Sequence, residues 1–305
     1  MSEDGTAQDG RPFGRVLTAM VTPFDVAGGI DLDATAELAT YLVDEMGNDG
    51  LVVNGTTGES PTTTDAEKAD IVRAVVDAVG DRAAIVAGIG TFDTAHTVHL
   101  GQDAVKAGAD GVLVVTPYYS RPPQAGVLAH FRAVADASDV PVLLYDIPHR
   151  TGTAIATETM LRLAEHERIV GVKDAKGDVQ ASAQVMAATG LAYYAGDDAM
   201  TLPLLSVGAV GVVGTSTHFT GVQTQQMVHA YEAGNVTGAL AVYRQVLPLY
   251  RGIFATQGVI LVKAGLAMIG RPVGGVRPPL VDATEHELSH LRADFEAAEL
   301  GALLH

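Results

Sequence analysis

Residues 140–145 read Val-Pro-Val-Leu-Leu-Tyr, and residues 169–174 read Ile-Val-Gly-Val-Lys-Asp. Each is a short apolar, β-branched run without the polar alternation of a half-exposed strand. Such runs mark strands buried on both faces, as in a parallel sheet. Six more begin near Val16, Leu51, Ala84, Val112, Leu191 and Val210. The stretches between them carry helical spacing. One opens Thr-Thr-Thr-Asp-Ala-Glu-Lys, where Thr64 can cap and Glu67 can close a capping box, and continues with Ile71, Val75 and Val79 on one face. Gly108, Gly190 and Gly208 stand just before the next strands, as helix C-terminal signals do.

Eight such units are complete by about residue 234. Alternating βα units imply a parallel α/β sheet, and eight of them point to a closed (βα)8 TIM barrel. A doubly wound open sheet would carry a glycine-rich turn after its first strand, and here that turn reads Val21-Thr22-Pro23-Phe24. The domain reading is therefore a flexible tail over residues 1–14, a barrel over 15–234, and a helical extension over 235–305 packed on the barrel. That extension contains the helical run Gly-Val-Ile-Leu-Val-Lys-Ala-Gly-Leu-Ala-Met-Ile-Gly and is not set off by a linker-like stretch.

Composition narrows the function. Among 305 residues there are 19 Lys and Arg against 36 Asp and Glu, a net charge of −17. A nucleic-acid partner or an anionic membrane surface needs a basic face, which this balance does not supply. Only 18 % of residues are charged, so the imbalance is a shortage of bases rather than an acidic coat. Cysteine is absent, which removes disulfides, a thiol nucleophile and thiolate metal sites. The polar, acidic start Met-Ser-Glu-Asp-Gly is the reverse of a secretory signal, and the expected location is the cytoplasm.

Barrel chemistry collects where strands end and βα loops begin. Strand 2 ends in Gly55-Thr56-Thr57-Gly58-Glu59-Ser60, strand 4 in Thr116-Pro117-Tyr118-Tyr119, and strand 5 at Tyr145, with Arg150 five residues on. Strand 6 ends in Lys173-Asp174, strand 7 in Gly196-Asp197-Asp198, and strand 8 near Val213-Gly214-Thr215. Of the five lysines, Lys68 and Lys106 fall on outer helices, Lys176 in a polar loop, and Lys263 in the appended helices, where its stem can snorkel. Lys173 alone directly continues a buried strand. Loss of hydration there disfavours the ammonium, and a neutral amine attacks a ketone to form a Schiff base. A lysine that merely pairs with Asp174 or Asp197 is the other reading of that position.

The neighbours suit the first reading. Tyr145 with Thr57 or Tyr119 can move protons beside an amine. The backbone N–H groups of Thr56 and Thr57 suit a carboxylate, and Arg150 can clamp a second one. Asp197 and Asp198 would repel a phosphate, so the expected substrate is a carboxylate. The string His286-Glu287-Leu288-Ser289-His290 matches a zincin motif, but helical spacing turns both histidines away from the apolar face of Leu288, Leu291 and Phe295. His96 and His99 read as a solvated face.

Taken together, Gly50 through Gly-Thr-Thr-Gly-Glu-Ser to Glu67, and Tyr145-Asp146-Ile147-Pro148 through to Lys173-Asp174-Ala175, resemble two signatures of the dihydrodipicolinate synthase / N-acetylneuraminate lyase family of class I aldolases. The resemblance spans roughly residues 15–300. It implies that Lys173 forms a Schiff base with pyruvate, that Tyr145, Thr57 and Tyr119 relay protons, and that Thr56 and Thr57 hold the pyruvate carboxylate. Tyr119 is implied to reach the site from a neighbouring subunit, which implies a homo-oligomer, usually a dimer of dimers. No metal or organic cofactor is implied, because the lysine supplies the electron sink.

Thr56-Thr57 and Arg150 are similar to the branch that condenses pyruvate with aspartate 4-semialdehyde, a lyase step toward diaminopimelate and lysine. There Arg150 would bind the semialdehyde carboxylate, and Gly196 and Val213 would complete the substrate pocket. The rivals are a sialic acid or sugar-acid lyase, which has no use for the second clamp, and a barrel that binds without catalysis. Two departures stand out. Positions that bind inhibitory lysine in some relatives here carry Pro61, Asp65, Lys68, Phe92 and His96, so insensitivity to lysine is expected, with Lys68 repelling the inhibitor's ammonium. The stretch Gly-Thr-Ser-Thr-His-Phe-Thr-Gly after strand 8 departs from the commoner serine-rich form.

Overall fold

Parallel strands need crossovers, and a closed ring of them needs both faces covered. The computed structural model describes residues 10–304 and meets both demands. Eight strands, β1 (Val16–Ala19), β2 (Gly50–Val53), β3 (Ala84–Gly88), β4 (Gly111–Val115), β5 (Val142–Asp146), β6 (Ile169–Asp174), β7 (Ala192–Ala195) and β8 (Gly211–Gly214), pair in sequence order and close into a barrel through β1 and β8. The helices are α1 (Leu32–Thr40), α2 (Asp65–Val79), α3 (Thr94–Lys106), α4 (Gln124–Asp136), α5 (Pro148–Thr151), α6 (Thr157–Leu163), α7 (Val179–Ala188), α8 (Thr201–Leu205) and α9 (Thr217–Glu232). Three more, α10 (Val236–Gly252), α11 (Gly258–Met268) and α12 (Glu285–Ala297), form the C-terminal extension. The capping box expected at Thr64 and Glu67 opens α2, and a second at Thr284 and Glu287 opens α12.

Side chains alternate across each strand, so the barrel has two cores. Leu17, Val52, Val86, Leu113, Leu143, Tyr145, Tyr194 and Val213 point inward as one cluster. The outward residues, such as Val16, Leu51, Val112 and Leu144, pack under the helices in a larger cluster that takes in Leu261, Leu266, Leu291 and Phe295 of the extension. No helix among the described residues is long and apolar enough to cross a membrane.

Part of the stretch expected to be a flexible tail is packed on the barrel. Residues 1–9 lie outside the described residues. Phe13, read as part of the tail, is 4 % exposed and belongs to the inner cluster. It closes the N-terminal end of the barrel. The Tyr194 hydroxyl donates to the Gly14 carbonyl at 3.0 Å, and Arg11 and Arg15 both pair with Glu232 on α9. Gly111 makes room for the plug, since a Cβ there would stand 2.4 Å from Phe13 Cζ. Phe13→Ala therefore empties a packed site and is predicted to destabilise the fold by about 3 kcal/mol, read as a lower midpoint of denaturant unfolding. An unchanged midpoint would show that the plug contributes nothing.

Candidate active site

Strand parity decides which chemistry meets. In the β5–β6 pairing Tyr145 stands opposite Lys173, and both side chains point into the barrel. Asp146 and Asp174, one residue further on each strand, are thereby turned outward. Asp174 accepts a hydrogen bond from Ser182 on α7 and another from the Lys176 backbone N–H at 2.8 Å. Asp197 caps the turn after β7 through the Ala199 N–H at 3.0 Å. The two carboxylates weighed as ion-pair partners for Lys173 are thus engaged elsewhere. Among the described residues no carboxylate lies within ion-pairing distance of its Nζ.

The Lys173 amine is 5 % exposed and sits 4.5 Å from the centre of the Tyr145 ring. Burial lowers its pKa to about 8, with Asp198 opposing the shift and Arg150 adding to it. Burial also pushes the Tyr145 phenol up to about 12, so it is protonated at neutral pH and can both donate and accept. Gly196 borders the amine because a Cβ there would come within 3.0 Å of Lys173 Cγ. Asp198 is buried at the start of α9, where its carboxylate accepts from the Thr215 and Ser216 N–H groups and the Ser216 hydroxyl.

A cavity of about 510 Å³ opens over the amine. Of the residues singled out in the sequence, Thr56, Thr57, Tyr145, Arg150, Lys173 and Gly196 all line it. Two do not. Val213 is fully buried in the inner cluster, and Thr215, two residues later on the same side of the chain, reaches the cavity in its place. Tyr119 is 94 % exposed at φ +68°, and it borders an adjoining cavity of about 360 Å³. Within one chain, Tyr119 is not brought to the amine.

The turn after β2 offers donors. Among the described residues the Thr56 and Thr57 N–H groups have no acceptor within the chain. The turn itself is closed by Glu59 N–H to Thr56 O and Ser60 N–H to Gly55 O, both at 3.2 Å. The Thr22 hydroxyl holds the Gly58 carbonyl at 2.7 Å, and the Thr57 hydroxyl lies 3.4 Å from that of Thr215. Two free backbone donors beside a hydroxyl pair make a seat for a small carboxylate.

Part of the wall comes from the extension, which no motif or spacing in the chain assigns to the site. Arg251, Phe254 and Gln257 all line the cavity. Gln257 caps α11 and its Oε1 accepts from Arg150 Nη2 at 2.8 Å, so the guanidinium is held from across the barrel. Lys68 and Lys263, expected on an outer helix and as a snorkelling side chain, are both buried. The turn before α2 frees carbonyls, and Lys68 Nζ donates to those of Ser60 and Thr63. Lys263 Nζ lies 2.7 Å from Glu59 Oε1. His286 and His290 are exposed on α12, and Glu287 between them is occupied by the capping box. Among the described residues no group of three or more His, Asp or Glu side chains is arranged to hold a metal ion.

An amine with a depressed pKa in a walled cavity at the C-terminal mouth of a barrel, with a phenol beside it, is the equipment of an enzyme that works through an imine. The chain belongs to the dihydrodipicolinate synthetase family, whose model matches residues 12–298. It is 68 % identical over 287 residues to 4-hydroxy-tetrahydrodipicolinate synthase from Acidothermus cellulolyticus, covering 94 % of this chain and 93 % of that one. Among solved structures, the lysine-bound dihydrodipicolinate synthase of Cyanidioschyzon merolae aligns with TM-score 0.92 at 41 % identity, over 95 % of this chain and 99 % of its own. The chloride-inhibited dihydrodipicolinate synthase of Acinetobacter baumannii complexed with pyruvate aligns with TM-score 0.91 at 31 % identity, over 94 % and 99 % respectively.

The depressed amine makes a direct prediction. Trace labelling with acetic anhydride across a pH series, read peptide by peptide, is predicted to show Lys173 half-titrated near about pH 8. A midpoint above about 10, the ordinary lysine value, would contradict the desolvation described for it.

Proposed function

We propose that the chain condenses pyruvate with L-aspartate 4-semialdehyde to 4-hydroxy-tetrahydrodipicolinate, through a Schiff base on Lys173. One observation carries the assignment of roles. The amine with its depressed pKa, the protonated phenol, the free N–H groups of the turn and a guanidinium all face one cavity.

The pyruvate carboxylate is received by the Thr56 and Thr57 N–H groups, which places the ketone carbon over Lys173 Nζ. The amine adds to that carbon, and loss of one water gives the imine. Tyr145, with the hydroxyls of Thr57 and Thr215 lining the same cavity, passes the protons that the addition and dehydration require. The imine nitrogen, once protonated, draws electrons from the pyruvate methyl group, so the electron sink is the lysine itself and the proposed cycle uses no metal or organic cofactor. Loss of a methyl proton yields the enamine, whose carbon attacks the aldehyde. The aldehyde oxygen becomes the product hydroxyl. The semialdehyde's own amine then adds to the imine carbon, closes the ring and releases Lys173.

Arg150, steadied by Gln257, is the clamp for the semialdehyde carboxylate. Arg251 adds a second positive group to the same wall, which suits an anionic second substrate rather than a neutral sugar chain. Tyr119 is proposed to serve the site of a neighbouring copy. Its exposure, and that of Phe92 at 62 %, fits a homo-oligomer, proposed as a tetramer, located in the cytoplasm.

Wild type is predicted to form product from the two substrates, and Lys173→Ala to form none. Arg150→Ala is predicted to lower kcat/KM for the semialdehyde by about 10- to 100-fold, the loss of about 1.5–3 kcal/mol of charge-assisted hydrogen bonding, with half-saturation by pyruvate little changed. Turnover with a sugar acid but not with the semialdehyde would overturn the substrate assignment.

Insensitivity to lysine is also proposed, for a reason that differs from the sequence expectation. Lys68 is turned inward and would not meet an inhibitor. Instead, Asp65 and His96 are tied to each other at 2.9 Å, and Phe92 offers no hydrogen bond. Turnover is predicted to be unchanged by sub-millimolar lysine, and half-inhibition in that range would refute it.

A further inference from the structure

The turn that offers Thr56 and Thr57 is not held by its own hydrogen bonds alone. Glu59, its fifth residue, is 2 % exposed and adopts φ +55°, a left-handed conformation that a residue with a Cβ enters at a cost. Something outside the turn has to keep it there. Glu59 Oε2 accepts the Arg277 backbone N–H at 2.8 Å, and Oε1 lies 2.7 Å from Lys263 Nζ on α11. Lys263 Nζ also donates to the Gly275 carbonyl at 2.6 Å and sits 4.0 Å over the Phe24 ring. The Arg277 guanidinium packs on Phe24 as well, at 4.3 Å, and bonds to the Glu67 carboxylate and the Thr62 carbonyl.

A buried ion pair is a poor way to gain stability, because an apolar pair of equal volume does as well or better. What it supplies is a fixed position. We propose that Glu59 and Lys263 act together as positioning residues, locking the Thr56–Thr57 turn in the shape that receives the substrate carboxylate. The C-terminal extension would then be a working part of the pyruvate site. This rests on the reading above that the turn seats the pyruvate carboxylate. Neither side chain touches substrate in this scheme. Their effect is on where two backbone N–H groups point, and a misplacement of about 1 Å costs of the order of 100-fold in such sites.

The test neutralises both partners at once. Removing one leaves a buried charge alone, whereas Glu59→Gln with Lys263→Met keeps volume and removes both charges. Pyruvate adduct on Lys173 is trapped with cyanoborohydride at graded pyruvate concentrations, and melting temperature and kcat are measured on the same samples. The double variant is predicted to raise the half-saturating pyruvate concentration by about 10- to 100-fold, with a smaller change in kcat. A merely structural pair would lower the melting temperature and the amount of active enzyme, but not the half-saturation of the folded fraction.

Should the double variant fail to fold, Glu59→Gln alone keeps the length and an acceptor for the Arg277 N–H, and Lys263 can shed its proton. The same direction is predicted with a smaller shift. Unchanged half-saturation in the folded variant, with normal trapping in wild type, would overturn the positioning role alone. Absence of any pyruvate adduct in wild type would overturn the underlying reading and the positioning role with it.

Discussion

Burying an amine at the inner edge of a closed ring of strands is the constraint on which the rest of the site depends. An ammonium holds its charge best where water or a carboxylate compensates it, and Lys173 is buried with no carboxylate at ion-pairing distance among the described residues. The period-two alternation of β5 and β6 creates that situation. It turns Lys173 and Tyr145 inward together and sends Asp146 and Asp174, the nearest acids in sequence, to the outer face. A shift of one residue in either strand would exchange the amine's partner from a phenol to a carboxylate. The amine would then be a structural cation rather than a nucleophile.

The remaining elements serve the same end. The plug at Phe13 closes the far end of the barrel and joins the apolar inner cluster beneath the amine. Asp198 is the nearest negative influence on Lys173, but its oxygens are taken up by Thr215 and Ser216 at the head of α9. It moderates the depression of the amine without pairing with it. The extension then walls the mouth, with Gln257 on Arg150 and Lys263 on Glu59 both arising from α11.

What the sequence disclosed follows from where information is local. The strands were legible because two-sided burial leaves an apolar run in the chain itself, and Lys173 was legible because it interrupts such a run at the end where barrel loops begin. The Thr56-Thr57 turn and Arg150 followed from their strand ends in the same way. Phe13 was missed because a single aromatic in a polar stretch gives no periodic signal. Lys68 and Lys263 were misplaced for a related reason. Helical spacing assigns a lysine to the solvent side by default, and only the assembled fold shows Ser60, Thr63 and Glu59 waiting for them. Val213 was too deep by two residues: it shares the inward face with Thr215, but it lies within the inner cluster while Thr215, further along, reaches the cavity. Tyr119 was expected at a strand end, but it stands four residues beyond β4 in a loop, with a left-handed backbone and an exposed side chain, which no spacing rule foretells.

The chemistry proposed for this barrel turns on an imine formed at one particular lysine. The most direct measurement is reduction with cyanoborohydride in the presence of pyruvate, followed by peptide mapping of the modified residue by mass spectrometry. A single stoichiometric adduct is expected on Lys173, and none on Lys68, Lys106, Lys176 or Lys263. An adduct on another lysine, or turnover without any trappable adduct, would contradict it.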